Sequence, residues 1–144
     1  MYIMRGVIPT TLQEVHAAVN REIVERVLGA FERKDMEGVL ASFAEDGVLF
    51  DVHYPSPLMQ GKDAIRAGME NAFGMLKQPG FTMRNVWEGE NNCAVEVDTH
   101  HVLQNGVEIN FPQVFIMEAR DGLITRLQSY VPYPPPPLPE PPTA

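Results

Sequence analysis

Hydrophobic residues recur at helical spacing along the first half of the chain. Thr11 and Glu14 have the spacing of a capping box and stand just before the first such stretch. A second, shorter helix is predicted after Asp35, which can cap it, and is expected to end at 46–47. A third is predicted to open at 61–63 and to end before a Pro-Gly pair. The stripe of the first helix comprises Val15, Val19, Ile23, Val27 and Phe31, and that of the third comprises Ile65, Met69, Phe73 and Leu76.

The hydrophobic period changes to two from Phe81 onward, as is typical of strands. Strands are predicted over 81–87, 93–103, 107–118 and 123–131, and an earlier apolar run covers 47–51. The turn at Asn105-Gly106 is the strongest hairpin signal in the chain. Strands joined by short turns form an antiparallel meander. The predicted fold class is therefore α+β, with the helices covering one face of the sheet.

The chain has 144 residues, which is the size of one domain. We expect this domain to span 1–133, because the segment 134–144 is rich in proline and has no packing pattern. That tail is predicted to be extended and solvated. A recognition segment and a strap across a neighbouring subunit are the alternatives that the sequence leaves open.

Charge and cysteine content exclude several classes of partner. The net charge of -8 argues against nucleic acid and against anionic membranes, both of which need clustered Lys and Arg. Cys93 is the single cysteine, so the chain has no internal disulfide, which fits a reducing compartment. No signal peptide or membrane-spanning run is recognisable. We expect a soluble cytoplasmic protein.

Asp51 and His53 stand at the end of the apolar run 47–51, and their two-residue spacing places them on one face of a strand. A carboxylate among apolar side chains holds a proton more tightly than in water, as a general acid or base near neutral pH requires. His53 can hold or relay that proton. Both are predicted to be catalytic, and Tyr54 of the same loop is predicted to bind substrate. In the alternative reading, Asp51 caps the loop backbone and His53 lies at a rim.

A two-residue hairpin turn would pair Asp98 with Gln113 and His100 with Phe111, and would place all four on one face. If Phe111 and Phe115 mark the interior, this face lines a pocket whose polar groups need partners. His100 is therefore predicted to be catalytic, and Asp98, Gln113, Phe111 and Phe115 to bind substrate. A solvated face is the alternative.

The histidines do not have the spacing of a metal site. No H-x-H or H-x-x-x-H pair accompanies Asp51, and adjacent His100 and His101 point to opposite faces of a strand, so His101 is expected outside the pocket. No phosphate-binding loop, dinucleotide fingerprint or Ser-His-Asp motif is present. We therefore expect neither a metal nor a cofactor.

Three segments carry a family resemblance: KDMEGVLASFAEDGVLFD at 34–51, GKDAI at 61–65 and ARDGLITRLQSY at 119–130. They resemble the second helix with the first strand, the start of the third helix and the last hairpin of the nuclear-transport-factor-2-like superfamily, in its SnoaL-like and ketosteroid-isomerase-like branch. The resemblance implies a cone in which a curved antiparallel sheet wraps around three N-terminal helices and leaves a deep apolar pocket. Members include isomerases, polyketide cyclases, dehydratases, epoxide hydrolases and non-catalytic binding domains, so fold alone does not decide activity.

The resemblance places Asp51 where the isomerase branch has its proton-shuttling carboxylate. The tyrosine of the isomerase's first helix falls near Val27, so that donor is missing here, and Gln113 stands near the second aspartate. On the last strand, Ser129 stands where the epoxide-hydrolase branch has an aspartate, and Ser129 is therefore a candidate for substrate binding. Neither catalytic set is complete.

Two classes of function follow from these residues. The first is a cofactor-independent acid/base enzyme of isomerase, cyclase or dehydratase type, in which Asp51 moves a proton on a small apolar carbonyl or polyketide-like compound. The second is a non-catalytic ligand-binding or dimerisation domain. An epoxide hydrolase is disfavoured by the incomplete set.

A homodimer through the sheet is also predicted. The outer face of the sheet is expected to carry Val95, Val97, Val114 and Ile116. Such a patch is larger than a monomer usually leaves in water. A symmetric pair buries it, and the resemblance implies the same arrangement.

Overall fold

The computed structural model describes residues 12–132, with side chains from Asn20 onward. Three helices and seven strands follow one another in this range. The helices are α1 (Leu12–Glu32), α2 (Met36–Ala41) and α3 (Lys62–Met75). The strands are β1 (Phe43–Phe50), β2 (Leu58–Gln60), β3 (Leu76–Gln78), β4 (Phe81–Glu88), β5 (Asn92–Leu103), β6 (Glu108–Arg120) and β7 (Leu123–Tyr130). The predicted cap at Thr11 and the Pro-rich segment 134–144 lie outside the described residues.

Helix α2 begins and ends for local reasons. The side chain of Asp35 accepts a hydrogen bond from the backbone N–H of Gly38 at 3.0 Å, as predicted for its N-cap. The helix ends at Ala41 rather than at 46–47, because Phe43 already pairs with Ile124 of β7. Within residues 12–132, no helix is both long and apolar enough to cross a membrane.

The sheet has the order β2-β1-β7-β6-β5-β3, and β4 also pairs with β5. Strands β4 to β7 form the predicted antiparallel meander. Strand β1 runs parallel to β7, so the sheet is mixed rather than purely antiparallel. Register shifts place extra residues in β1, β4 and β7, and an extra residue on one side of a pair bends the strand and increases its local twist. The expected α+β class, a curved sheet with N-terminal helices, is confirmed.

The two short strands β2 and β3 were absent from the sequence prediction. Each has three residues, which is too short for an alternating pattern to be recognised. Strand β3 follows α3 directly and pairs with β5. It shortens α3 to Met75 and turns Leu76 into a buried strand residue.

The core lies between the helices and one face of the sheet. Its residues include Val24, Val27, Leu28, Leu49, Ile65, Met69, Val95, Val97, Phe115, Met117 and Leu127. Val95 and Val97 are completely buried, so their predicted place on the outer face is wrong. Val114 and Ile116 alternate with the buried residues of β6 and face outward, as predicted.

Candidate functional site

A cavity of about 210 Å³ lies between the helices and the inner face of the sheet. Its wall is mostly apolar and includes Val27, Leu28, Phe31, Leu49, Met69, Phe81, Phe111 and Phe115. Its polar members are Asp51, His53, Tyr54, Asn71, His101 and Gln113. A mostly apolar cavity with a few converging polar groups is the usual form of a small-molecule site. The structure therefore brings together six of the predicted site residues: Asp51, His53, Tyr54, Phe111, Gln113 and Phe115.

Asp51 follows the last residue of β1 and is held by a tight turn. Its backbone N–H donates to the carbonyl of Pro57 at 3.0 Å, and its own carbonyl accepts from the N–H of Tyr54 at 3.2 Å. Its Oδ1 accepts the backbone N–H of His53 at 2.9 Å and lies 2.8 Å from Nδ1 of the same residue. A carboxylate oxygen only accepts, so Nδ1 of His53 carries the proton in this contact. The Asp-x-His spacing therefore positions the carboxylate and the imidazole together.

The other carboxylate oxygen of Asp51 is placed differently. Asp51 is buried, and its Oδ2 has no hydrogen-bond partner among the described residues. Buried polar atoms in proteins are nearly always partnered, so such an oxygen beside a cavity is available to a ligand.

The side chain of His53 is 37% exposed and its ring centre lies 5.1 Å from that of Phe111, which places it at the rim. Among the described residues, no group of three His, Cys, Asp or Glu side chains surrounds a common point as metal ligands would.

Tyr54 packs against α3 where that helix has a glycine. A Cβ on Gly68 would lie 3.1 Å from Cδ2 of Tyr54 and would overlap the sulfur of Met59. Burial and, secondly, the carboxylate of Asp51 raise the pKa of the Tyr54 phenol. The phenol therefore stays protonated and can donate a hydrogen bond into the cavity.

Gln113 is held by two buried hydroxyl groups. Thr99 donates from Oγ1 to Oε1 of Gln113 at 2.8 Å, and Nε2 of Gln113 donates to Oγ of Ser129. One amide hydrogen of Gln113 is left without a partner among the described residues. Ser129 supports Gln113 from behind and does not line the cavity, unlike the place predicted for it.

The β5–β6 hairpin has a different register from the predicted one. Its loop contains three residues, 104–106, because the N–H of Leu103 donates to the carbonyl of Val107 at 2.8 Å. Gly106 has φ +87, the left-handed conformation that closes such a loop. Gln113 therefore pairs with Val97 and not with Asp98.

This one-residue shift exchanges the faces of β5. Asp98 lies on the exposed surface, 2.6 Å from the guanidinium of Arg84, and His100 is exposed with Nε2 3.0 Å from Oγ1 of Thr82. The predicted substrate-binding role of Asp98 and catalytic role of His100 therefore lose their structural basis. His101, expected outside the pocket, lies inside it.

His101 is the polar residue that the sequence reasoning missed. Its ring is buried among aromatic rings, with centroid distances of 5.2 Å to Phe81, 5.9 Å to Phe31 and 6.5 Å to Phe111. Its Nδ1 accepts the backbone N–H of Gly80 at 3.0 Å. Burial, followed by the charges of His100 and His53, lowers the pKa of His101 to about 4, although Asp51 acts in the opposite direction. The imidazole is therefore neutral at pH 7.

Comparison with known structures shows which fold this chain shares. A hypothetical protein with ketosteroid isomerase-like protein fold from Catenulispora acidiphila, in complex with trimethylamine, is 20% identical, with a TM-score of 0.69 over 76% of this chain and 84% of that chain. A Mycobacterium tuberculosis protein in complex with estradiol-17beta-hemisuccinate is 21% identical, with a TM-score of 0.69 over 78% and 92%. An LEH-like epoxide hydrolase of M. tuberculosis is 17% identical, with a TM-score of 0.70 over 81% and 84%. At these identities the similarity shows the fold alone.

Sequence comparison assigns the family. No curated protein matches this chain significantly. The sequence pattern of the SnoaL-like domain matches residues 24–127, which is more than half of the chain and includes α2, α3 and strands β1 to β6 completely. On this match, the chain belongs to the SnoaL-like domain family.

Proposed function

We propose that this protein is a cofactor-independent acid/base enzyme that acts on a small, largely apolar carbonyl compound, with Asp51 moving the proton. The proposal is supported by one observation: Asp51 is a buried carboxylate at the wall of an apolar cavity, and its Oδ2 has no hydrogen-bond partner among the described residues. A proton-transfer group has to reach the reacting carbon while the rest of its side chain is held in place. In Asp51, the two carboxylate oxygens divide these tasks, because Oδ1 is engaged by His53.

The proposed reaction begins with proton abstraction. Oδ2 of Asp51 takes the proton from the carbon next to the carbonyl group. The electron pair of the C–H bond then forms a carbon–carbon double bond to the carbonyl carbon, and the π pair of the carbonyl moves to its oxygen. The protonated acid then returns its proton to another position of the product. Tyr54 and Gln113 have hydrogen-bond donors at the cavity that can stabilise the negative oxygen. Isomerisation, cyclisation and dehydration can all start with this step.

A non-catalytic ligand-binding domain is the second candidate. Val27 lines the cavity at the place where the isomerase-like resemblance expects a tyrosine, so the part of α1 whose side chains are described supplies no donor there. An epoxide hydrolase is disfavoured, because Ser129 stands on the last strand in place of an acid and lies behind Gln113. For both candidate functions we propose that the ligand is a small apolar molecule and that the protein is located in the cytoplasm.

The two candidates separate in one experiment. A panel of hydrophobic ketones and aldehydes is screened by thermal shift, and every hit is then incubated with the protein and analysed for product by mass spectrometry and NMR. The enzyme proposal expects at least one hit to be converted. Hits that bind and remain unchanged support the binding domain instead.

Asp51→Asn tests the assigned role. Asparagine keeps an oxygen that can accept the His53 N–H, so folding and ligand binding should change little, while turnover should fall by about 10²- to 10⁴-fold. Asp98→Asn is the matched control, because it makes the same change on the outer face and should leave turnover unaltered. An Asp51→Asn protein with the wild-type rate would exclude Asp51 as the proton-moving group.

A further inference from the structure

His101 is a buried polar group at the cavity that the reaction proposed above does not use. Its Nδ1 accepts the N–H of Gly80, so the proton of the neutral ring is on Nε2. No hydrogen-bond partner for Nε2 exists among the described residues. The ring borders the cavity between three phenylalanines. The Nε2–H group of His101 is therefore a fixed hydrogen-bond donor in an apolar wall, and a ligand can supply the acceptor that it lacks.

We infer that His101 binds the carbonyl oxygen of the ligand through Nε2–H, and that Gly80 is the positioning residue that sets this tautomer. This inference rests on the proposed function for the reaction that follows binding. The binding of a carbonyl group by His101 can itself be measured without turnover.

The cavity favours a neutral acceptor over an anion. Among the described residues that line the cavity there is no Lys or Arg, and the carboxylate of Asp51 borders the same space, so a ligand carboxylate would meet a like charge. A ketone or aldehyde oxygen accepts a hydrogen bond and carries no charge. The ligand class is therefore a compact hydrophobic ketone or aldehyde.

The ring stays a donor because its surroundings oppose a second proton. Phe31 of α1, Phe81 of β4 and Phe111 of β6 pack around it. The titratable groups that act on it are His100, His53 and Asp51, and a polar cleft on its other side also contains Glu32 and Glu108. The balance of burial and these charges keeps the ring neutral at pH 7. A neutral imidazole at this position polarises a carbonyl without transferring its own proton.

Gly80 can hold this contact because it has no side chain. A Cβ on Gly80 would collide with His100: it would lie 2.6 Å from Cε1 of that residue and 2.7 Å from its carbonyl oxygen, and it would overlap its Nδ1. The carbonyl of Gly80 also accepts the N–H of His100 at 2.9 Å. Any larger residue would therefore push the backbone away from β5 and weaken the hydrogen bond to His101.

The tautomer can be tested directly by NMR of the ¹⁵N-labelled protein. The two ring nitrogens of a single neutral tautomer resonate far apart, and His101→Gln assigns the signals. We expect His101 to show a proton on Nε2 alone between pH 8 and pH 5, and Gly80→Ala to replace this pattern with averaged signals. A proton on Nδ1, an averaged pair or a charged ring at pH 7 in the wild type would overturn the assignment.

The carbonyl contact can be tested with 1-tetralone and tetralin, which share a carbon skeleton and differ in the carbonyl group. By calorimetric titration, the wild type should bind the ketone about tenfold more tightly, the size expected for one buried hydrogen bond. His101→Leu should reduce this preference, because only the donors of Tyr54 and Gln113 then remain, and the exposed control His100→Gln should keep all of it. His101→Gln, which keeps a donor, should retain more of the preference than His101→Leu does.

Each other outcome counts against the inference. Equal binding of both compounds by the wild type, binding of neither, or an undiminished preference in His101→Leu would exclude the carbonyl contact. If His101→Leu does not fold, as judged by circular dichroism, the decision rests on His101→Gln and on the wild-type tautomer. Failure of the Asp51→Asn test leaves these readouts untouched, so the two proposals fail separately.

Discussion

Thr99 fixes the orientation of the Gln113 amide, because its hydroxyl donates to Oε1 across β5 and β6 at 2.8 Å. Both side chains are buried, at 1% and 4% exposure. The amide is thereby held with its NH₂ group toward Ser129 and the remaining N–H available at the cavity. A residue that does not line the cavity thus determines what Gln113 can offer to a ligand.

Thr99→Val should therefore destabilise the protein and loosen Gln113. Valine has nearly the same shape but leaves Oε1 of Gln113 buried without a donor, which costs about 1–3 kcal/mol of unfolding free energy. Urea denaturation measures this loss. Thr82→Val is the control: Thr82 is exposed, so the change should stay within about 0.5 kcal/mol. Equal effects of the two substitutions would mean that the Thr99 hydrogen bond contributes nothing specific.

The helices, the meander and the Asp51–His53 pair could all be predicted from sequence. In each case the signal was local, and hydrophobic period or strand parity sufficed. The inward positions of Thr99 and His101 do not follow from the turn motif, because the loop has three residues instead of the expected two, and a one-residue slip moves every side chain of a strand to its other face. The alternation of Cys93, Val95 and Val97 on β5 indicates the face that is buried and is a stronger signal than the turn motif.

The long-range contacts of the site could not be predicted. The hydrogen bond from Gly80 to His101 joins the connection between β3 and β4 to strand β5, and the two residues are 21 positions apart in the chain. The parallel pairing of β1 with β7 joins segments about eighty residues apart and has no local signal. These contacts follow from tertiary packing, which a hydrophobic pattern does not encode.

Stability should fall in mildly acidic solution because of His101. Its pKa is about 4 in the folded protein and 6.5 as an ordinary histidine. Between these values the unfolded chain binds a proton that the folded protein does not, so the free energy of unfolding decreases as the pH drops from 6.5 to 4. The full decrease from this one group is roughly 3 kcal/mol.

Urea denaturation at pH 7 and pH 4.5 isolates this contribution when the wild type is compared with His101→Gln. Glutamine does not titrate, so the variant should lose less stability on acidification, whereas carboxylates affect both proteins alike. His100→Gln, an exposed neighbour, should behave as the wild type does. Parallel losses in the wild type and His101→Gln would show that His101 is not held neutral by folding.

The outer face of the sheet carries an apolar row that the structure places differently from the sequence prediction. Successive strand pairs connect Trp87, Ala94, Ile116, Gln128, Phe50 and Leu58, and all of these except Gln128 are apolar. Trp87 and Leu58, at its two ends, are 57% and 60% exposed. Val114 and Tyr130 form a pair in a neighbouring row, and Tyr130 is 51% exposed. Val97 is buried in the core and so cannot belong to the predicted interface; an interface on this face would centre on Ile116 and Val114 instead.

We predict that two copies of the chain bury this row against each other. An exposed apolar patch across several strands is costly in water, and a two-fold pair covers both copies at once. Ile116→Arg, in the middle of the row, should therefore yield monomers, because an unpaired charge would be buried in the interface.

Val107→Arg is the matched control, since it adds the same charge at an exposed valine in the β5–β6 hairpin, away from the row. Light scattering at micromolar concentration should give the mass of two chains for the wild type and the control and of one chain for Ile116→Arg. A wild-type mass of one chain, or an Ile116→Arg protein that remains dimeric, would show that this row is not the interface.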